Sequence, residues 1–254
     1  MVIATDWPRL AIICVLFTAA AGGVAWWAAL TTARPFVRAA ARAVVQLAVV
    51  SAVITVVLTR LPLTAAFLVL MASVATATSA ARTKTGKKGI WVGAAILAGT
   101  VPAMAALMLS GLVPLEGIAL IPIGGILIGG AMTATTLSTR RALDTLSDRY
   151  GEYEAALALG FTVPEATREL IRKPAAEALL PALDQTRTVG LVTLPGAFVG
   201  MLLGGAPVWQ AGALQLVVLL GLLAVEVVAV TTVIELVARG RVRRASQQGE
   251  LRLT

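Results

Sequence analysis

The sequence predicts an all-α, polytopic integral membrane protein with about seven transmembrane helices. Hydrophobic residues make up 58% of the 254 residues and charged residues only 13%, whereas soluble domains are about 25% charged. The charges lie in clusters, and the apolar runs between them approach the ~20 residues that a helix needs to cross a bilayer. No repeat or low-complexity linker divides the chain, so we expect a single transmembrane domain over residues 1–254.

Seven apolar runs are predicted to span the membrane. They are residues 10–30, 43–59, 63–81, 90–110, 118–138, 188–203 and 209–237. Short loops containing proline, glycine or basic residues separate most of them, as expected for turns outside the hydrocarbon core. Residues 139–187 differ, because they form a long polar segment between the fifth and sixth runs.

The distribution of Lys and Arg predicts the orientation of the chain. Nineteen of the 21 basic residues lie in segments 34–42, 82–88, 139–187 and 239–252. Seven spans place these four segments on one side, which the positive-inside rule identifies as cytoplasmic. The N-terminus is then outside and the C-terminus inside. Because the basic residues lie in loops between apolar runs, the net charge of +8 does not indicate nucleic-acid binding.

The polar segment 139–187 predicts a cytoplasmic helical hairpin. Gly160 suits a helix C-terminus, where glycine tolerates the left-handed conformation. Thr162 and Glu165 have the spacing of a capping box, with Pro164 in the first turn of the next helix. A solvated connection between two spans is the simpler interpretation, but long loops of this kind usually have a function. A rigid hairpin is suited to transmit force from a soluble partner.

The sixth run contains a candidate hinge or packing face. Three glycines, Gly196, Gly200 and Gly204, recur every four residues and would lie on one face of a helix, where another helix can approach closely. Pro195 should kink that helix, and Gly190 precedes it. Both ordinary packing and a hinge between two conformations are consistent with this pattern.

Four residues are candidates for a translocation path. Glu226 is the one carboxylate predicted deep in a span, and ionisable groups there are costly and often functional. A hydrogen bond to a neighbouring helix, or protonation, would explain it equally well. Gln46 and Gln215 are the other strongly polar residues predicted within spans, and Met132 is a fourth candidate, although methionines more often fill a core. With one Cys and no His, the ligands of any metal remain unknown.

Part of the polar segment resembles the EAA loop of ABC transporter permeases. Glu154-Ala155-Ala156 is followed by Gly160 and then by Ile171-Arg172-Lys173-Pro174, although the family pattern has Leu where this chain has Lys173. In that family a short coupling helix docks in a groove of the ATP-binding subunit. The resemblance implies that Glu154, Ala155, Ala156, Gly160, Thr162, Pro164 and Glu165 contact such a subunit.

A wider resemblance covers most of the chain. The segments at 42–47, 121–125, 159–162 and 184–196 are similar to the FetB-type iron-export permeases. That family usually has Asn where this chain has Gly130. The resemblance implies export of iron or a related metal from a bacterium, as a multi-pass homodimer in the plasma (inner) membrane. ATP and Mg would then be bound by a separate ATPase subunit.

The chain itself is not expected to be an enzyme or to bind a cofactor, because it contains no Walker A motif and no candidate catalytic residue. Two other functions remain open. One is a secondary, proton-coupled transporter that uses Glu226, and the other is a membrane scaffold that transports nothing. The EAA pattern is associated with importers, so the direction of transport is also open.

Overall fold

The computed structural model describes residues 6–86 and 89–244, and the regular elements of that part of the chain are helical. The chain divides between Thr59 and Arg60 into two compact units. The expectation of a single domain stays a prediction. In chain order the helices are α1 (Trp7–Trp27), α2 (Arg34–Leu58), α3 (Leu61–Thr83), α4 (Gly89–Leu109), α5 (Gly117–Asp148), α6 (Tyr150–Ala158), α7 (Val163–Ala176), α8 (Leu180–Thr188), α9 (Gly196–Leu203) and α10 (Val208–Ala238).

Six of the described helices, α1 to α5 and α10, are long and apolar enough to cross a membrane. They correspond to six of the seven predicted spans. Proline lies in the first turn of α1, α2 and α3, where its missing N–H has no helical acceptor to lose. The positions of these prolines therefore help to determine where the three helices begin.

The sixth predicted span, 188–203, does not form one transmembrane helix. Residues 189–195 have no helical structure, and the α9 helix that follows has eight residues, about 12 Å. Gly190 has φ +83°, a conformation that ends a regular helix, and Pro195 is extended at the start of α9. The continuous transmembrane helix predicted over residues 188–203 is therefore wrong.

The first unit contains α1 and α2. Gly22 allows the chain to pack closely there, because a Cβ at this position would lie 3.3 Å from the Ala33 Cβ. Most other side chains of the two helices are exposed, including the large apolar residues Phe17, Trp26 and Leu47. Outward apolar surfaces of this kind suit hydrocarbon surroundings.

The second unit is built around α5 and α10. Helix α10 packs against α4, α5 and α7, and α3 packs against α4 and α5. One apolar cluster contains Ile96, Leu127 and Val225, and another contains Leu143, Ile171 and Val233. Close packing drives helix association in lipid, because the tails are as apolar as the side chains.

Three of the four basic segments meet at one end of the second unit. Arg168 of α7 pairs with Glu235 near the end of α10, and Arg244 pairs with Asp144 of α5. The Arg241 guanidinium lies 4.6 Å from the ring centroid of Trp91, at the start of α4. The start of α4 and residues of the 139–187 and 239–252 segments therefore share one end of this unit. That this end is cytoplasmic stays a prediction.

Helix α4 approaches the backbone of α10 closely at Gly99. A Cβ at Gly99 would overlap the Val225 carbonyl oxygen, and neither backbone can yield without separating the helices. We expect Gly99→Ala to destabilise the protein by about 1–3 kcal/mol, the usual cost of overpacking. Gly129→Ala on α5 is the matched control, since a Cβ there meets nothing within 4 Å. Thermal unfolding in detergent measures both, and equal midpoints for the two variants would contradict this account.

Candidate functional site

The polar segment contains a tight helix–turn–helix. Helix α6 ends at Ala158, and Gly160 has φ +94°, which favours glycine. The Gly160 N–H donates to the Leu157 carbonyl at 3.0 Å, and the Phe161 N–H donates to the Ala156 carbonyl at 3.2 Å. These bonds satisfy carbonyls at the end of α6, so the turn is defined by its own backbone.

The predicted capping box is present at the start of α7. The Glu165 carboxylate accepts hydrogen bonds from the Thr162 hydroxyl at 2.6 Å and from the Thr162 N–H at 2.9 Å. These bonds hold the pKa of Glu165 below its ordinary value. The contribution of the cap to stability is therefore present above the ordinary carboxylate pKa and is lost as the pH falls through the lowered value. Pro164 lies in the first turn, as predicted.

The tip of this hairpin exposes apolar side chains outside the long membrane helices. Leu159 is 81% exposed, and Phe161 and Val163 are each 47% exposed. We call these three residues the hairpin tip. Glu154 and Ala155 on α6 are exposed as well, and Ala156 is half-buried. An apolar cluster on a polar segment is typical of a contact surface, although the coupling role of these residues stays a prediction.

The opposite face of α7 is fixed to the membrane helices. Ala166, Leu170, Ile171 and Ala175 are buried, and α7 packs against α5 and α10. Pro174 lies inside α7, near its end. The hairpin is therefore held by one side of α7, and its tip is left free on the described chain.

An ion pair that the sequence analysis missed joins α7 to α10. The Arg168 guanidinium donates through Nε to Glu235 Oε1 at 2.8 Å and through Nη2 to Oε2 at 3.1 Å. Both side chains are about a third exposed, so we assign the pair a positioning effect rather than a large energy. The sequence contained a signal for such a pair. Arg168 shares the helical face of Ile171 and Ala175, and a charge on a buried face needs a partner.

Glu226 and Gln215 lie on the same face of α10, three turns apart. Both are buried, and Gln215 Oε1 has no hydrogen-bond partner in the described chain. No hydrogen bond or ion pair connects Glu226 with another described residue. A Cβ at Gly130 of α5 would lie 2.8 Å from Glu226 Oε1. The structure thus brings Glu226 against bare α5 backbone, which spacing in the sequence could not show.

The other two candidates for a translocation path, Gln46 and Met132, lie away from Glu226 and Gln215 along the chain. Gln46 is exposed on α2, in the first unit, beside a surface depression lined also by Ala41, Arg42 and Val45. Met132 is half-buried on α5 and packs against the cluster that contains Leu127. Within residues 6–86 and 89–244, no three His, Cys, Asp or Glu side chains are close enough together to hold a metal ion.

The glycines of α9 do not pack against another helix in the described chain. A Cβ at Gly196 or Gly200 would meet nothing within 4 Å. At Gly204 it would lie 3.4 Å from the carbonyls of Gly200 and Met201, in its own turn. Of the predicted hinge residues, Gly190 and Pro195 are the two that interrupt regular helix.

The chain matches the model of a family described as "Uncharacterised protein family (UPF0014)" over residues 7–241. It is 40% identical over 150 residues to "Protein ALUMINUM SENSITIVE 3" of Arabidopsis thaliana, across 59% of this chain and 55% of that protein. It is 37% identical over 186 residues to "UPF0014 membrane protein STAR2" of Oryza sativa subsp. japonica, across 71% and 65%.

A bacterial relative is the "Probable iron export permease protein FetB" of Escherichia coli (strain K12). The identity is 35% over 111 residues, which is 44% of this chain and 43% of that protein. In each of these alignments the chain covers less than two thirds of the relative's length. No solved structure matches the chain significantly.

The Arg168–Glu235 pair predicts that reversing one charge loosens α7. Arg168→Glu would place a second carboxylate against that of Glu235, and the two negative charges would repel each other. We therefore expect several-fold faster amide exchange over residues 166–172, measured by hydrogen–deuterium exchange in detergent. The double variant Arg168→Glu/Glu235→Arg should restore slow exchange. Arg172→Glu is the control, because Arg172 is an exposed residue of the same helix with no ion pair in the described chain. Equal effects of the two single variants would show that the pair does not position α7.

Proposed function

The chain belongs to the UPF0014 family, and from this premise we propose that it is the membrane-spanning permease subunit of an ABC transporter. In this proposal a homodimer in the plasma (inner) membrane of a bacterium exports iron or a related metal ion. A separate ATPase subunit binds ATP and Mg and hydrolyses ATP, so this chain is not itself an enzyme. The bacterial relative with an iron-export name supports the substrate class and the direction of transport.

The observation that carries the proposal is the hairpin tip. A permease without a nucleotide site needs a surface through which an ATPase can act on the membrane helices. Leu159, Phe161 and Val163 present apolar side chains on a turn that Gly160 and the capping box make rigid. Apolar and aromatic residues of this kind supply the central contacts of protein interfaces.

The attachment of α7 supports a route from this surface into the membrane. A partner that moves the tip would also move α7, whose buried face and Arg168 contact α10. Since α10 also carries Glu226, one rigid helix connects the docking surface with the buried carboxylate. A route through the candidate hinge at Pro195 and Gly196 would be less direct, because residues 189–195 lack helical structure.

The proposed orientation places the hairpin and the C-terminal end of α10 in the cytoplasm. The meeting of three basic segments at one end of the second unit supports this side. The proposed orientation, with the two termini on opposite sides, requires an odd number of membrane crossings. Residues 189–203 would then form the crossing that the six long helices do not supply, as a loop followed by α9. Such a broken segment is tolerated at membrane depth where protein or water satisfies its backbone.

A secondary, proton-coupled transporter is the second candidate function. Glu226 favours it, because this carboxylate is buried and has no ion pair within residues 6–86 and 89–244, and such a group can carry a proton across the membrane. Substrate flux into vesicles that contain the purified chain, without ATP or an ATPase, would establish this alternative and exclude the first.

The docking proposal predicts that a charge at the hairpin tip releases the ATPase. We expect Leu159→Asp to lower the affinity for the proposed ATPase subunit about tenfold or more, since a central apolar contact contributes roughly 2 kcal/mol. Leu115→Asp is the matched control, because Leu115 is an exposed leucine in the α4–α5 loop. Co-expression followed by purification of the full-length chain measures the recovered ATPase. Equal recovery with both variants would exclude the tip as the docking surface.

A further inference from the structure

A groove of about 510 Å³ lies between α3 and α4 in the second unit. On the α3 side small residues line it, among them Ala72, Ala77 and Ala80. On the α4 side it is bordered by Ile90 and Leu97, two apolar residues that are 74% and 43% exposed. We call this cavity the α3–α4 groove. Its lining is suited to hold an apolar ligand within the membrane.

The two helices that form the groove are already in contact at its base. A Cβ at Gly89 would overlap the Cβ of Ala80, and a Cβ at Gly93 would lie 2.6 Å from Cγ2 of Thr76. Helix α4 therefore has no room to move closer to α3. The groove is a fixed feature of the pair, and a ligand is needed to fill it.

The polar residues of the lining have no free donor to offer. The Ser73 hydroxyl donates to the Val69 carbonyl at 2.8 Å, and the Thr76 hydroxyl donates to the Ala72 carbonyl at 2.8 Å. Both bonds lie within α3, so the groove favours an aliphatic chain over a polar solute. From Val69 to Ala80 the lining extends about 17 Å along α3. This length is close to half of the ~30 Å hydrocarbon core, which is the depth of one leaflet.

One end of the groove is basic. Its lining reaches Gly86, and the preceding residues Arg82 and Lys84 are exposed and form no ion pair within residues 6–86 and 89–244. The sequence has no Asp or Glu between residues 7 and 115, so no carboxylate of α1 to α4 can neutralise them. Trp91 lies at the same end, at the start of α4, and tryptophan is enriched at the level of the lipid headgroups. The positive charge thus lies where lipid phosphates are found.

Lys84 has a backbone conformation that its side chain does not favour. It ends α3 with φ +55°, in the left-handed region where glycine or asparagine is usual. A lysine at this position is strained, and its ammonium group gains no ion pair in the described chain. A role in binding a ligand would explain why a lysine occupies this turn.

We propose that the α3–α4 groove binds one anionic phospholipid. An acyl chain lies along the small residues of α3, and the phosphate contacts Arg82 and Lys84. Basic pockets between membrane helices are suited to anionic headgroups, and the apolar groove adds burial of the chain. This site is independent of the proposed function, because lipid binding requires neither an ATPase nor transport.

Native mass spectrometry of the full-length chain in mild detergent tests the headgroup preference. Dioleoylphosphatidylglycerol and dioleoylphosphatidylcholine have the same acyl chains and differ in net charge. We expect the first to bind about tenfold or more tightly, since two basic residues face its phosphate. Glycerol 1-phosphate, which has no acyl chain, should not displace it. Equal affinity for the two lipids, or displacement by glycerol 1-phosphate, would overturn the proposal.

Charge variants locate the phosphate. Arg82→Gln and Lys84→Gly should each lower the affinity for phosphatidylglycerol about fivefold, whereas Arg82→Lys should retain it. Lys84→Gly also relieves the left-handed turn, so its thermal midpoint should not fall and a folding defect is separated from lost binding. Arg60→Gln is the matched control, because Arg60 is exposed at the opposite end of α3. Equal losses in Arg60→Gln and the two site variants would contradict the assignment.

A groove-filling variant locates the acyl chain. Ala77→Leu should lower phosphatidylglycerol affinity several-fold, because the added side chain takes the space of the lipid. Ala224→Leu on α10 is the control, since Ala224 is exposed and lies outside the groove. Unchanged lipid affinity in Ala77→Leu would overturn the proposal. A change from dimer to monomer in its place would assign the groove to a helix of a second copy.

Discussion

The packing of α10 against α4 and α5 is the contact on which the rest of the second unit depends. In lipid, helices associate through close packing instead of through exclusion of water, so small residues decide where they can meet. Gly99 and Gly130 allow that approach at neighbouring residues of α10. The same contact encloses Glu226, and the far end of α10 holds α7 through the apolar cluster that contains Ile171 and Val233. A docking segment and a buried carboxylate are thereby attached to one helix.

The two carboxylates of α10 illustrate how position determines chemistry. Glu235 lies at the end of the helix where Arg168 and Arg239 provide positive charge, so it remains ionised and positions α7. Glu226, about 13 Å away along the axis, has apolar and backbone neighbours and no described partner. The carboxylate at the end of the helix is stabilised by ion pairs, whereas the carboxylate in the middle has no such partner among the described residues.

The segment 189–203 gives the unit a second kind of irregularity. A helix across the full membrane would have been stiff, but Gly190 and Pro195 interrupt it and leave α9 as a short helix before α10. Gly196 and Gly200 face open space in the described chain, in contrast to Gly99 of α4 and Gly130 of α5. A face of this kind is available to another helix, and a second copy of the chain in the proposed homodimer would supply one.

The sequence by itself determined the class of protein, the positions of six long helices and the local chemistry of the α6–α7 turn. Each of these depends on interactions within a few residues: apolar run length, proline in a first turn, Gly160 in the left-handed region, and Thr162 with Glu165. Its error at the sixth span came from composition, since 188–203 is apolar enough to cross but is not helical at residues 189–195. Only the tertiary structure decided which distant residues meet. Arg168 and Glu235 are 67 residues apart, and Gly130 faces Glu226 because the helices cross there, which no local pattern in the chain encodes.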